Sequence, residues 1–282
     1  MMELWYRLLS LLPFEWAQPG QMLFMKHALL AVLVISPLFG LLSTMVVRSR
    51  MSFFSDALGH SAFTGMAIGA LCGIGDPTWA AVLFALFFSV LFNVVRRKTA
   101  LASDTVIGVF ASTAMAFGIF LSTLGGRSFT KFNSLLIGDI LSVTPGQIGL
   151  LALILLVVLV FWVVGFNRLM LSTVHPALAH SRGVQVFLLE TVFSALIAVV
   201  VTLSMTWVGL LVINSLLVLP AASARSVARN TAQYHLFSVL GAVVCGVAGV
   251  MASYYLGSSA GASITLFLAV FFLVTSLLRR KN

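Results

Sequence analysis

Nine apolar runs follow one another along this chain with only short polar breaks between them. Each is roughly 20 residues long, enough for a helix to cross a hydrocarbon core about 30 Å thick. A lone run is compatible with a signal peptide or a buried helix, but nine in succession are not. Inside lipid every backbone N–H and C=O must be bonded within its own segment, so repeated runs of this kind fold as helices. Charge content points the same way: 8% of the 282 residues are charged, against about 25% in a soluble domain. Too few charges remain to coat a globule in water. The expected fold is all-α, a polytopic membrane bundle of eight or nine transmembrane helices forming one domain over residues 21–282.

The expected spans are Met22–Val47, Phe54–Gly73, Trp79–Val95, Thr105–Leu124, Ile148–Phe166, Val186–Met205, Trp207–Ala222, Leu236–Leu256 and Ala262–Leu278. The seventh is short and contains Pro220, hence eight or nine. A net charge of +9 would suit a nucleic-acid partner, but the basic residues sit in short clusters between apolar runs. These are Arg48/Arg50, Arg96/Arg97/Lys98, Arg225/Arg229 and Arg279/Arg280/Lys281, the pattern of cytoplasmic loops under the positive-inside rule. Placing them inside puts the N-terminus outside and the C-terminus in the cytoplasm, with Arg127 and Lys131 on the external side. Cys72 and Cys245 fall in apolar runs and are expected as small core residues. Residues 1–20, with Glu3, Arg7 and Glu15 among aromatic and leucine residues, are expected as an interfacial amphipathic segment that contacts lipid, not as a signal peptide.

Two connections exceed a simple turn. Residues Gly125 to Gly146 lie outside and contain a short apolar stretch, Phe132–Val143, read as a periplasmic or re-entrant helix ending before Thr144-Pro145. Residues Asn167 to Gly183 lie inside and include a short helix starting near Pro176 and closed by Gly183. Such a helix suits docking to another protein and equally suits lying on the lipid surface.

Ionisable side chains within a bilayer cost at least about 2.5–3.5 kcal/mol each on insertion scales, so each calls for a reason. Asp56 and His60 are the sharpest case. Four residues apart on a helix, they share one face, and carboxylate oxygen and imidazole nitrogen are both ligands for first-row metals. One pair offers two ligands, and a two-fold dimer offers two pairs, enough for a four-coordinate ion without cysteine. The same spacing also serves a plain Asp–His hydrogen bond that lowers the cost of burying both. Asp104 is expected as a helix N-cap, Asp76-Pro77 as an external turn, and Glu190 as a snorkelling or Arg182-paired carboxylate. Asp139, in the external segment, faces either a periplasmic partner or water. His27, His175, His180 and His235 lie near span ends. Asn214 and Ser215, ahead of Pro220, are expected to hydrogen-bond across helices or to backbone freed by the proline.

The chain contains no G-x-x-x-x-G-K-[ST], no GxSxG and no HExxH sequence, so no nucleotide-binding loop or enzyme constellation is recognised. If transport is ATP-driven, the ATPase is a separate chain. Two other classes compete: a proton-coupled secondary metal transporter working alone, and a permease for metal chelates or cobalamin, whose wide pathway needs no Asp–His pair.

Three stretches carry a family resemblance. Arg50-Met-Ser-Phe-Phe-Ser-Asp56-Ala-Leu-Gly-His60-Ser61 resembles the R-M-S-[YF]-[FL]-x-D-[AT]-[LV]-x-H-[AS] signature of zinc/manganese-type ABC permeases. Leu135-Leu-Ile-Gly-Asp139-Ile-Leu-Ser-Val-Thr-Pro145 resembles their F-G-[DS]-[IL]-L-x-V-[ST] segment. The run from Val208-Gly209 through Pro220-Ala221-Ala222-Ser-Ala224-Arg225 resembles their V-G … P-A-A-[TS]-A-R motif, with Gly209, Pro220 and Arg225 as its structural positions. The resemblance covers nearly all of the chain after residue 20. It implies a type II ABC importer-like permease in the bacterial inner membrane, paired as a homodimer with two cytosolic ATPase chains and a periplasmic metal-binding protein. No permanently bound cofactor is implied; the cargo is a divalent metal ion, zinc or manganese. The resemblance further implies that Asp56 and His60 line the metal pathway. His175, Pro176, Ala179 and Gly183 would belong to a coupling helix seated in the ATPase, and Asp139 would lie where the binding protein docks. Ala177 departs from the family's usual acidic residue and Asn214 from its small or hydroxyl residue.

Overall fold

A computed structural model describes residues 5–6, 18, 22–99, 101–124 and 138–278. Among these there are ten α-helices, one 3₁₀ turn and no strand. The helices are α1 (Leu23–Arg48), α2 (Phe54–Leu71), α3 (Pro77–Lys98), α4 (Ser103–Thr123), α5 (Pro145–Val174), α6 (Pro176–Ser181), α7 (Val186–Val208), α8 (Leu210–Val227), α9 (Thr231–Leu256) and α10 (Ala260–Leu277). The 3₁₀ turn, Ile140–Ser142, precedes α5.

Eight of these helices are long and apolar enough to cross a membrane, all but α2 and the six-residue α6. Asp56, His60, three serines and threonines and three glycines lower the hydropathy of α2, yet its 18 residues span about 27 Å at 1.5 Å per residue. Of those residues 13 are buried, because α3, α4 and α7 surround it. A helix this polar survives at membrane depth by being enclosed in protein. The count of eight or nine crossings therefore stands, with α2 as the inner ninth.

Small residues set the close approaches. Against α9, α1 presents Gly40, where an added Cβ would lie 3.0 Å from the Cα of Val239. Beside it, Ser43 Oγ and Ser238 Oγ are 3.0 Å apart and Ser238 donates to the Gly40 carbonyl at 2.6 Å. Gly65 lets α2 reach Ala81 of α3, and Thr64 Oγ1 donates to the Ala114 carbonyl of α4 at 2.6 Å. In lipid, where apolar surface alone does not drive helices together, such contacts and hydrogen bonds of roughly 0.6 kcal/mol each hold a bundle.

Among the described residues the basic clusters meet at one end. Arg48 of α1, Arg225 of α8 and Thr173 of α5 border one cavity, while Arg96 and Arg97 of α3 border another with the starts of α6 and α7. This is the alternation expected from the charges. Lys26, one turn into α1 at the opposite end, is a basic residue that the charge pattern passed over; it is buried and donates to the Gln18 carbonyl at 2.6 Å.

Several local expectations are corrected. Helix α5 runs 30 residues to Val174, so 167–174 is helix and not loop; nothing in Asn167–Val174 breaks a helix, and it stops where Pro176 disfavours helical geometry at His175. Asp104 is not the cap of α4, which is Ala102; Asp104 sits in the first turn. Glu190 pairs with Arg96 at 3.2 Å, not with Arg182. Cys72 is exposed at the end of α2, while Cys245 is buried as expected. The seventh span begins at Leu210, not Trp207, because Gly209 (φ 93°) breaks the chain between α7 and α8. Pro220 lies inside α8 without ending it. The expected external helix 132–143 falls partly outside the described residues; its described end is the 3₁₀ turn, and Thr144 and Gln147 then form a capping box that starts α5. The interfacial reading of residues 1–20 also falls outside the described residues, apart from residues 5, 6 and 18.

Candidate functional site

The start of α2 carries the site. Arg50 adopts a left-handed backbone (φ 55°), and the chain turns at 49–53 so that α2 begins at Phe54. Asp56 falls in the first turn of α2, where a carboxylate is favoured by the unpaired N–H groups. His60 follows one turn later. Their Oδ2 and Nε2 atoms lie 3.6 Å apart, with Asp56 47% and His60 22% exposed. At 3.6 Å the two lie just beyond ordinary hydrogen-bonding distance, close enough to interact directly.

Asn214 of α8 completes the group from the opposite side, donating Nδ2 to Asp56 Oδ1 at 3.1 Å. Its own carbonyl Oδ1 is buried with no hydrogen-bond partner. The next residue, Ser215, accepts from Thr265 of α10 at 3.1 Å. Both polar residues ahead of Pro220 thus bond across helices, as expected. That Asn214 would meet Asp56 could not be read locally, because 158 positions separate them; the available signal was one amide in an apolar run.

Helices α2 and α8 also touch at Gly59, beside His60. A Cβ there would lie 2.5 Å from a methyl of Leu210, so the Leu210 side chain fills the space that the glycine leaves. Two helices therefore converge on the Asp–His face, one supplying both titratable groups and the other an amide that holds the carboxylate.

Among the described residues no three His, Cys, Asp or Glu side chains cluster as a metal cage. The Asp56–His60 pair supplies two ligands, and a tetrahedral ion bonded at about 2.1 Å needs donor atoms about 3.4 Å apart. A right-angle octahedral pair at the same bond length needs about 3.0 Å. The observed 3.6 Å is a little longer than either, so a small side-chain adjustment brings the pair to one ion.

The remaining candidates are dispersed. Helix α6 (Pro176–Ser181) lies at the basic end; it buries Ala179 against its neighbours and exposes His175, Pro176, Leu178 and His180. Gly183 (φ 74°) turns the chain from α6 toward α7. Asp139 caps the 3₁₀ turn by accepting from Leu141 N–H at 3.0 Å, next to Gly138, whose backbone packs on Gly209. Asp76 caps α3, accepting from Thr78 N–H at 3.0 Å. His27 bonds Tyr6 at 2.6 Å, and His235 packs among the rings of Trp162, Phe166 and Tyr234. Neither histidine joins Asp56 and His60.

Comparison with known proteins agrees over nearly the whole chain after residue 20. The family described as ABC 3 transport family matches residues 21–279. The manganese import system permease protein ScaB of Streptococcus gordonii is 30% identical over 263 residues, covering 92% of this chain and 92% of its own. The high-affinity zinc uptake system membrane protein ZnuB of Haemophilus influenzae is 28% identical over 255 residues, covering 90% of this chain and 97% of its own. The solved structure of PsaBC from Streptococcus pneumoniae in complex with Fab aligns with a TM-score of 0.76 at 25% identity, covering 98% of this chain and 95% of that one.

Proposed function

Because the chain belongs to the ABC 3 transport family, we propose that it is the permease subunit of an ATP-driven importer of a divalent transition metal, zinc foremost, in a bacterial inner membrane. The observation that carries this reading is the Asp56–His60 pair: two metal-type ligands at 3.6 Å, on a polar helix enclosed by others. Two ligands without a third suit passage, since a transport site must release what it binds. In the proposed assembly two copies of the chain pair, so that each contributes its two ligands near a common axis.

We propose the following transport cycle. A periplasmic metal-binding protein presents the ion at the external end, near Asp139. Asp56 and His60 take it transiently, with Asn214 keeping the carboxylate oriented. ATP-driven closure of two cytosolic ATPase chains acts on α6, whose exposed Leu178 and His180 form the contact. Zinc is favoured over manganese by the imidazole ligand of the pair.

The test is metal uptake by vesicles holding this chain with its ATPase and binding protein, with zinc, manganese and iron in competition. Zinc accumulation that requires both ATP and the binding protein is the expected result. Accumulation driven by a pH gradient with this chain alone would overturn the reading.

A further inference from the structure

Four arginines converge at the basic end of the bundle with no acid to meet them. Arg48 ends α1, Arg50 follows it, Arg225 lies in the last turn of α8, and Arg229 lies in the link to α9. Together they wall one open hollow of about 500 Å³, which Asn230 and Thr231 at the start of α9 complete. No Asp or Glu lines it, and among the described residues none of the four arginines forms an ion pair.

The other basic cluster on this face behaves differently. Arg96 pairs with Glu190 at 3.2 Å, and Arg97 lies over the Phe187 ring at 5.1 Å. The positive-inside rule accounts for arginines on this side of the membrane. It does not account for four of them, uncompensated, around a single concavity. Like charges so placed repel one another, and Arg50 holds its place with a backbone in the left-handed region (φ 55°) that its side chain disfavours. The start of α9 faces the same hollow, where Asn230 caps by accepting from Gln233 N–H at 2.8 Å, so the positive end of that helix adds to the field.

We infer that this hollow binds a phosphate-bearing anion, either a phosphodiester lipid headgroup or free phosphate. Guanidinium forks match phosphate oxygens two at a time and stay charged at any physiological pH. The volume is that of a small-ligand site. By the positive-inside rule this basic end of the bundle meets the cytoplasmic headgroups, which puts a phosphodiester at hand. The site shares no residue with Asp56, His60 or Asn214, and it does not depend on which ion the permease carries.

The test uses the purified full chain. Native mass spectrometry follows retention of dioleoylphosphatidylglycerol against dioleoylphosphatidylcholine, and calorimetry follows titration with inorganic phosphate. Retention of the anionic lipid, weakened roughly tenfold or more in Arg225→Gln/Arg229→Gln and unchanged in Lys98→Gln, is expected for a headgroup site. Phosphate binding with the same dependence on the variants supports the free anion as the source. Arg48→Gln/Arg50→Gln should reproduce the loss, which guards against one pair failing to fold. Absence of both ligands from the wild type, or binding indifferent to either arginine pair, overturns the assignment. So does a variant that loses only its association with the ATPase while the wild type binds neither probe, since the arginines would then be a protein contact.

Discussion

Replacing Asp56 with asparagine removes one negative charge and little else. The new side chain has the same shape, and its carbonyl can still accept from Asn214 Nδ2, now 3.1 Å from Asp56 Oδ1. The lost partner, His60, stands at 3.6 Å, and the carboxylate is nearly half exposed. A pair so placed contributes less than about 1 kcal/mol. Folding and assembly should therefore survive, with a melting shift of at most roughly 2–4 °C. The ion is affected far more. Losing an outer-shell partner of a metal ligand already costs about 10–100-fold; losing the charge of a direct ligand should cost about 100-fold or more in uptake, equivalent to some 2.7 kcal/mol. The assay is ATP-dependent zinc uptake by vesicles, with a melting curve on the same preparation. A well-folded Asp56→Asn variant importing zinc at the wild-type rate would refute the site. Pairing it with His60→Ala sharpens the test: two ligands of one ion should lose less together than the sum of their separate losses.

Other positions give distinct outcomes. Asn214→Ala frees the Asp56 carboxylate from its amide donor, and uptake should fall about tenfold with the melting point little changed. Gly138→Ala places a Cβ 2.2 Å from the Gly209 nitrogen at φ 53°, where both neighbours are backbone; a loss of at least about 2 kcal/mol, seen as early melting in detergent, is expected. Gly183→Ala meets open space but must hold φ 74°, costing about 1 kcal/mol; stimulation of the ATPase by the assembled permease should weaken while metal binding stays intact.

The membrane architecture was legible because a span of apolar residues is a local property, and so was the Asp56–His60 pair, whose four-residue spacing acts within one helix. What escaped were the choices made between distant segments. Glu190 has Arg182 only eight positions away, yet it takes Arg96, 94 positions away, because α3 and α7 pack side by side. Asn214 shows the same limit: its chemistry was visible, its partner was not. Helix α5 was cut short because its polar end, from Asn167, resembled a loop; helical backbone continues past the apolar stretch until Pro176 interferes. Cys72 misled in the opposite way, since an apolar neighbourhood in sequence does not guarantee burial at a helix end.

The position of α7 explains how one end of this bundle can bear on the other. It starts just beyond α6 and Gly183 at the basic face and runs to Val208. There Gly209 joins it to α8 with a single residue between the helices, and the backbone of Gly138 rests on that joint. From the same joint α8 sets Leu210 against Gly59 and, one turn on, Asn214 against Asp56. A push on α6 thus has a continuous packed route to the external joint and to the carboxylate. Packed contact alone does not establish coupling; it requires an element with two arrangements that both sites bias. The joint at Gly209 is where the helical backbone changes direction on that route. Gly209 donates its N–H to the Met205 carbonyl at 3.0 Å and accepts from Ile213 N–H at 3.3 Å, so it closes α7 and opens α8 while its φ of 93° sets the bend between them. Rotation of α8 about that point would withdraw Asn214 from Asp56 and Leu210 from Gly59 together, altering the hold on the ion and the seal beside it in one movement.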